Sequence, residues 1–188
     1  MDLVLASHSP RRRDLLRKFG LDFEVAVVEV TEETNGLPEV VAESNARLKA
    51  EAVSAVYPES LTLGADTIVV LDNEILGKPH NEDAAIEMLC SLSGREHEVT
   101  TAVALARKGQ AIRLFSETTL VRFRSLSRHE IESYAATGEP LDKAGGYGIQ
   151  GFGGLLVEGI KGCYYNVVGL PMPRLVEELR VFGIEVFL

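Results

Sequence analysis

The chain has 188 residues, 46% of them hydrophobic and 25% charged, which suits one domain, or one domain with two lobes, and gives enough apolar side chains for a real core. A net charge of −9 excludes broad electrostatic attachment to DNA, RNA or an anionic membrane, so an anionic ligand would need a local basic cluster. The start of the chain lacks a signal-peptide profile and no apolar run is long enough to cross a bilayer, which makes the cytoplasm the expected location.

Residues 3–6 read as a buried strand, and residues 11–19 as a helix with Leu15, Leu16 and Phe19 on one face and Gly20 as its C-terminal cap. Between them, Ser9 is placed to cap the helix and Pro10 to be its first residue, so Arg11 and Arg12 fall in the first turn. That end of a helix is positive and favours acidic groups, so two arginines there are unfavourable unless an anion compensates them. With the helix N–H groups and the hydroxyls of Ser7 and Ser9, the two guanidinium forks describe a polyphosphate cradle. A solvated basic patch would have the same sequence.

Residues 23–30 are strand-like and rich in valine, and residues 39–56 carry a helical pattern that includes Lys49. Residues 61–71 give a second strong strand, followed across Asp72-Asn73 by a short returning segment at 74–76. Inside this strand stands Gly64-Ala65-Asp66-Thr67. A carboxylate there is costly to bury without a cation or several donors, so Asp66 is a candidate metal ligand or general base. Glu32 and Glu33 could supply a second acid, the oxygen chemistry that magnesium takes beside phosphates. Lys78, in Gly77-Lys78-Pro79, and Lys49 would add two cations to the arginines, although both can be ordinary surface lysines.

Asn81 is placed to cap a helix ending at Ser93-Gly94, and residues 97–106 and 111–124 read as strands. Ser127 and Glu130 have capping-box spacing for a helix stopping near Gly138. Residues 142–162 are glycine-rich, which favours tight turns and close approach of backbone to ligand; Gln150 there offers a donor and an acceptor. A last helix should follow Pro171 and Pro173, with residues 184–188 as a terminal strand. Alternating elements followed by successive strands point to α/β with a mixed sheet. Cys90 and Cys163 form no CxxC pattern and are expected as small buried apolar residues; the four histidines show no metal-ligand spacing.

In order along the chain, SHSPRR, GADT, GKP and DKAGGYGIQG resemble the motifs of the Maf-like nucleotide pyrophosphatases, over essentially the whole sequence. The resemblance implies an elongated α/β fold similar to the inosine triphosphate pyrophosphatases, with a mixed central sheet flanked by helices and a cleft between two lobes. It implies metal-dependent hydrolysis of a nucleoside triphosphate to the monophosphate and pyrophosphate. Asp66 matches the family's proton acceptor, Arg11 and Arg12 its phosphate-binding arginines, Lys49 and Lys78 its lysines of the site. Glu32 matches the acid after the second strand and would hold Mg²⁺ or Mn²⁺ with Asp66; Thr31 stands where many relatives have aspartate. Arg11, Thr67 and Gln150 look like the branch that hydrolyses dTTP and UTP, with modified pyrimidine nucleotides as further substrates. The alternatives are the 7-methyl-GTP branch, which lacks the YGIQG form, and a nucleotide-sensing regulator of septum formation without turnover. A homodimer is common in the family, and neither a nucleic acid nor a membrane is an expected partner.

Overall fold

In a computed structural model, described over residues 2–110 and 112–186, the chain forms a seven-stranded mixed sheet with helices. Strand β1 (Leu3–Leu5) is followed by α1 (Pro10–Lys18), β2 (Glu24–Val25), α2 (Pro38–Val56) and β3 (Leu61–Leu71). Strands β2, β1 and β3 pair in parallel, so α1 and α2 are crossover helices; Val4 lies opposite both Glu24 and Thr62. Strand β4 (Glu74–Leu76) turns back antiparallel on β3, and α3 (Glu82–Leu92) leads into β5 (Glu96–Ala106) and β6 (Arg113–Phe123). Then come α4 (Arg128–Ala135), three 3₁₀ turns, β7 (Val157–Lys161), α5 (Tyr164–Val168) and α6 (Met172–Arg180). The sheet order is β2-β1-β3-β5-β6-β7, with β4 beside β3.

Two compact units share the chain, and β3, β5 and β6 each run from one into the other. The first comprises residues 1–66, 101–117 and 169–188, the second residues 67–100 and 118–168. In the first, β1 is buried along its length and Val4 and Ala6 pack with Val53 of α2. In the second, Leu89 and Leu92 of α3 and Ile131 and Tyr134 of α4 join Val99, Val121 and Phe123 in one cluster. Among the described residues no helix is long and apolar enough to cross a membrane.

Local chemistry explains where elements start and turn. Asn81 Oδ1 accepts the Ala84 N–H at 2.8 Å, and Ser127 and Glu130 form both bonds of the capping box. Asp72 and Asn73 both take left-handed backbone angles, as a tight two-residue hairpin requires.

Several expectations are corrected. The strand over residues 23–30 shrinks to Glu24–Val25. It lies at the sheet edge, where valine content cannot extend a ladder lacking a partner, and Val27 and Val28 are exposed. No strand forms at 184–186, and Phe187 and Leu188 lie outside the described residues, as does Ala111 at the start of the strand expected over 111–124. Strand β7 and helix α5 were hidden by glycine content and by an exposed face that masks the periodicity. Cys90 is exposed on α3, whose buried face is taken by Ala85, Ile86, Leu89 and Leu92, and Cys163 is only partly buried.

His97 is a buried histidine of the second unit, 2% exposed, with its Nε2 2.8 Å from the Tyr147 hydroxyl. Its Nδ1 has no hydrogen-bond partner among the described residues, and Phe123 and Tyr147 meet it edge-on. Burial pushes its pKa down to about 4. The unfolded chain, with a histidine near 6.5, therefore binds the extra proton first as the pH falls. This contribution to stability is complete above pH 6.5 and is lost on descending towards 4, reaching a loss of roughly 2 kcal/mol by pH 5. Urea unfolding at pH 7 and pH 5 should show the loss in the native chain and a smaller one in His97→Gln.

Candidate active site

At the C-terminal end of β1 the chain reaches Ser7, and Ser7 Oγ accepts both the Ser9 N–H at 3.2 Å and Arg12 Nη1–H at 3.1 Å. Arg12 Nε–H donates to the Gly169 carbonyl at 2.9 Å, which fixes the guanidinium from its other side. Arg12 is thus a buried, braced arginine, not a freely projecting one, while Arg11 is partly exposed. Ser9 does hold the N-cap position, yet its side chain makes no capping bond to the first turn. Burial lowers the pKa of Arg12 to about 10, Asp66 opposes that shift, neighbouring Arg11 adds to it and Glu32 opposes it again. The guanidinium stays charged at neutral pH. Two like charges with one of them desolvated favour any anion that can lie against both.

Asp66 enters from β3. Its carboxylate accepts Lys49 Nζ–H at 2.7 Å on one oxygen and Asn45 Nδ2–H at 3.3 Å on the other. Lys49 Nζ is also 3.1 Å from Glu32 Oε1, so two carboxylates converge on one ammonium nitrogen. Asp66 is largely buried and Glu32 about half exposed, with side-chain exposures of 12% and 49%. Asn45 and Lys49 are one helical turn apart on α2 and so share a face. What brings that face onto β3 is Gly64. A Cβ there would stand 2.3 Å from the Ala46 carbonyl oxygen and 2.7 Å from the Ala50 nitrogen, so only glycine allows helix and strand to approach this closely.

The donor set fits a hard divalent cation. Magnesium is commonly held by one or two carboxylates, with water and substrate phosphates completing its shell, and Asp66 with Glu32 supplies those two. No group of three or more His, Cys, Asp or Glu residues suited to a metal occurs among the described residues.

The remaining expected residues lie in the second unit. Thr67 follows Asp66 directly on β3 and is partly buried; Lys78 and Gln150 are exposed on loops. The two loops of that unit touch, since the Gly145 N–H donates to the Gly77 carbonyl at 3.1 Å. The turn carrying Gln150 is gripped by Glu139, whose carboxylate accepts the N–H groups of Phe152 at 3.0 Å and Gly153 at 3.1 Å and the Tyr134 hydroxyl at 3.0 Å. Gly151 sits so close that a Cβ would lie 2.4 Å from Glu139 Oε2. The structure therefore gathers Ser7, Arg11, Arg12, Glu32, Lys49 and Asp66 in the first unit, and the GKP and glycine-rich loops in the second. Asn45 and Glu139 were missed, and Gly64 was quoted within the GADT motif without its packing role. The spacing of Asn45 four residues before Lys49 was the readable signal for the first, and a glycine inside an apolar strand was the signal for Gly64; Glu139 carries none outside the fold.

The sequence pattern of the family described as Maf-like protein matches residues 2–182. The chain is 52% identical to a dTTP/UTP pyrophosphatase of Symbiobacterium thermophilum, over 98% of this chain and 96% of that one. It is 46% identical to a dTTP/UTP pyrophosphatase of Desulforamulus reducens, over 98% of each, and 51% identical to one of Bacillus cereus, over 98% and 97%. Among solved structures, a nucleoside-triphosphatase (dITP/XTP pyrophosphatase) of Mycobacterium abscessus superposes with a TM-score of 0.51 at 16% identity, over 97% of this chain and 96% of that one. At that identity the likeness shows the fold, a mixed α/β sheet flanked by helices.

Proposed function

The chain belongs to the Maf-like protein family, and we propose that it is a hydrolase converting dTTP and UTP to the monophosphate and pyrophosphate. The reading is supported above all by one arrangement: a buried aspartate and a second carboxylate on a shared ammonium, with a braced arginine that feels both. The relatives' names supply the substrate pair, and the motif residues Arg11, Thr67 and Gln150 agree with that branch.

In this mechanism Arg11, Arg12 and the hydroxyls of Ser7 and Ser9 bind the triphosphate, with Arg12 held in place by Ser7 and Gly169 and both guanidiniums lending positive charge to the phosphate oxygens. Asp66 orients water towards the α-phosphorus and accepts its proton as the new oxygen–phosphorus bond forms. The bond from the α-phosphorus to the bridging oxygen breaks, and pyrophosphate leaves with its electron pair. Lys49, already hydrogen-bonded to Asp66, stands beside the reacting phosphates, and Lys78 of the GKP motif is the second lysine of the reading. A Mg²⁺ or Mn²⁺ ion held by Asp66 and Glu32 would supply charge neutralisation on the phosphate oxygens. Positioning and charge neutralisation then account for most of the rate.

The test is a panel of nucleoside triphosphates with Mg²⁺ or Mn²⁺, following pyrophosphate. Turnover of dTTP and UTP well above that of purine nucleotides is the expected result. Preference for 7-methyl-GTP would move the chain to the other branch, and binding without pyrophosphate release would make it a sensor.

A further inference from the structure

Resting on the pyrophosphatase reading, we propose that Asn45 is a positioning residue that sets Glu32 and Asp66 in register for a divalent cation. Asn45 is 2% exposed on α2, where an apolar side chain would cost less to bury. Both ends of its amide are engaged. Oδ1 accepts the Glu33 N–H at 2.7 Å, and Nδ2 donates to the Glu33 carbonyl at 2.9 Å and to Asp66 Oδ2 at 3.3 Å. Rotating the amide by half a turn would face its NH₂ group with the Glu33 N–H and its oxygen with the Asp66 carboxylate, so one orientation is dictated.

The consequence lies in what the two ends hold. Residues 26–34 run without helix or strand and are mostly exposed, so the segment bearing Glu32 has no sheet ladder to place it. Asn45 offers the Glu33 peptide the paired donor and acceptor that a neighbouring strand would give, one residue from Glu32. The same amide holds the Asp66 oxygen not taken by Lys49. A single side chain on a rigid helix therefore ties a loop carboxylate to a strand carboxylate. Partners that orient metal ligands in this way change metal affinity by about 10–100-fold when removed.

The experiment is a Mn²⁺ titration of the full chain without nucleotide, counting free ion by electron paramagnetic resonance, beside steady-state kinetics with dTTP. Asn45→Ala should weaken Mn²⁺ binding by about tenfold or more. It should also lower kcat at saturating metal while changing the nucleotide KM by less than about threefold, because the phosphate-binding arginines are untouched. Ser54→Ala, buried on the same helix outside the cluster, should leave Mn²⁺ binding as it is. If Asn45→Ala folds poorly, Asn45→Ser, which keeps a small hydroxyl, is read in the same way. Equal Mn²⁺ affinity in the folded variant and the native chain overturns the proposal, as does equal weakening in Ser54→Ala or no Mn²⁺ binding by the native chain. Native chain that binds Mn²⁺ but hydrolyses nothing would overturn the pyrophosphatase reading alone.

Discussion

Asp66→Asn should leave a folded protein whose kcat with dTTP is lower by roughly 10²–10⁴-fold, the range seen when a proton acceptor is removed. The amide has the shape of the carboxylate, so β3 and its neighbours need not move. What is lost is the negative charge paired with Lys49 at 2.7 Å and the basicity needed to take a proton from water. Arg11 and Arg12 stay in place, and Arg12 keeps its bonds to Ser7 and Gly169, so the Michaelis constant should change far less than kcat. Stopped-time pyrophosphate assays beside far-ultraviolet circular dichroism measure both. A kcat within a factor of three of the native value would remove Asp66 from the chemistry.

Gly64→Ala should be the most disruptive single methyl group in the first unit. The added carbon meets backbone atoms of Ala46 and Ala50, which cannot rotate away, so α2 must lift from β3. Overpacking of this kind costs about 3 kcal/mol. Activity should fall further than stability alone explains, because lifting α2 carries Asn45 and Lys49 away from Asp66. Gly159→Ala is the control: nothing lies within 4 Å of its added carbon, and its stability should stay within about 0.5 kcal/mol. Urea midpoints for the two variants, with kcat for each, separate packing from chemistry. A Gly64→Ala protein as stable as the control would mean that the close approach does not matter.

Legibility in the sequence followed the range of the forces involved. The caps at Asn81 and Ser127, the Asp72-Asn73 turn and the long strands are set by neighbours within a few residues, and these could be read directly. The shortening of β2 depends on which strand ends up at the edge, and the exposure of Cys90 on how α3 is turned. Neither is a local property. For the site, Glu32 and Lys49 were only candidates until the resemblance singled them out, while charge logic pointed to Arg11, Arg12 and Asp66, because charged groups in apolar or like-charged surroundings demand compensation. It did not foresee that Arg12 would be buried and braced by Gly169, 157 positions away. Nor could it find Asn45 or Glu139, whose partners are largely backbone groups brought near by folding.

The central claim is that this cluster directs water to the α-phosphorus of a pyrimidine nucleoside triphosphate. Hydrolysis of dTTP in ¹⁸O-enriched water with Mg²⁺, read by phosphorus NMR, tests it most directly. The account predicts one ¹⁸O atom in the nucleoside monophosphate and unlabelled pyrophosphate. Label in orthophosphate, with the nucleoside diphosphate as the other product, would contradict it.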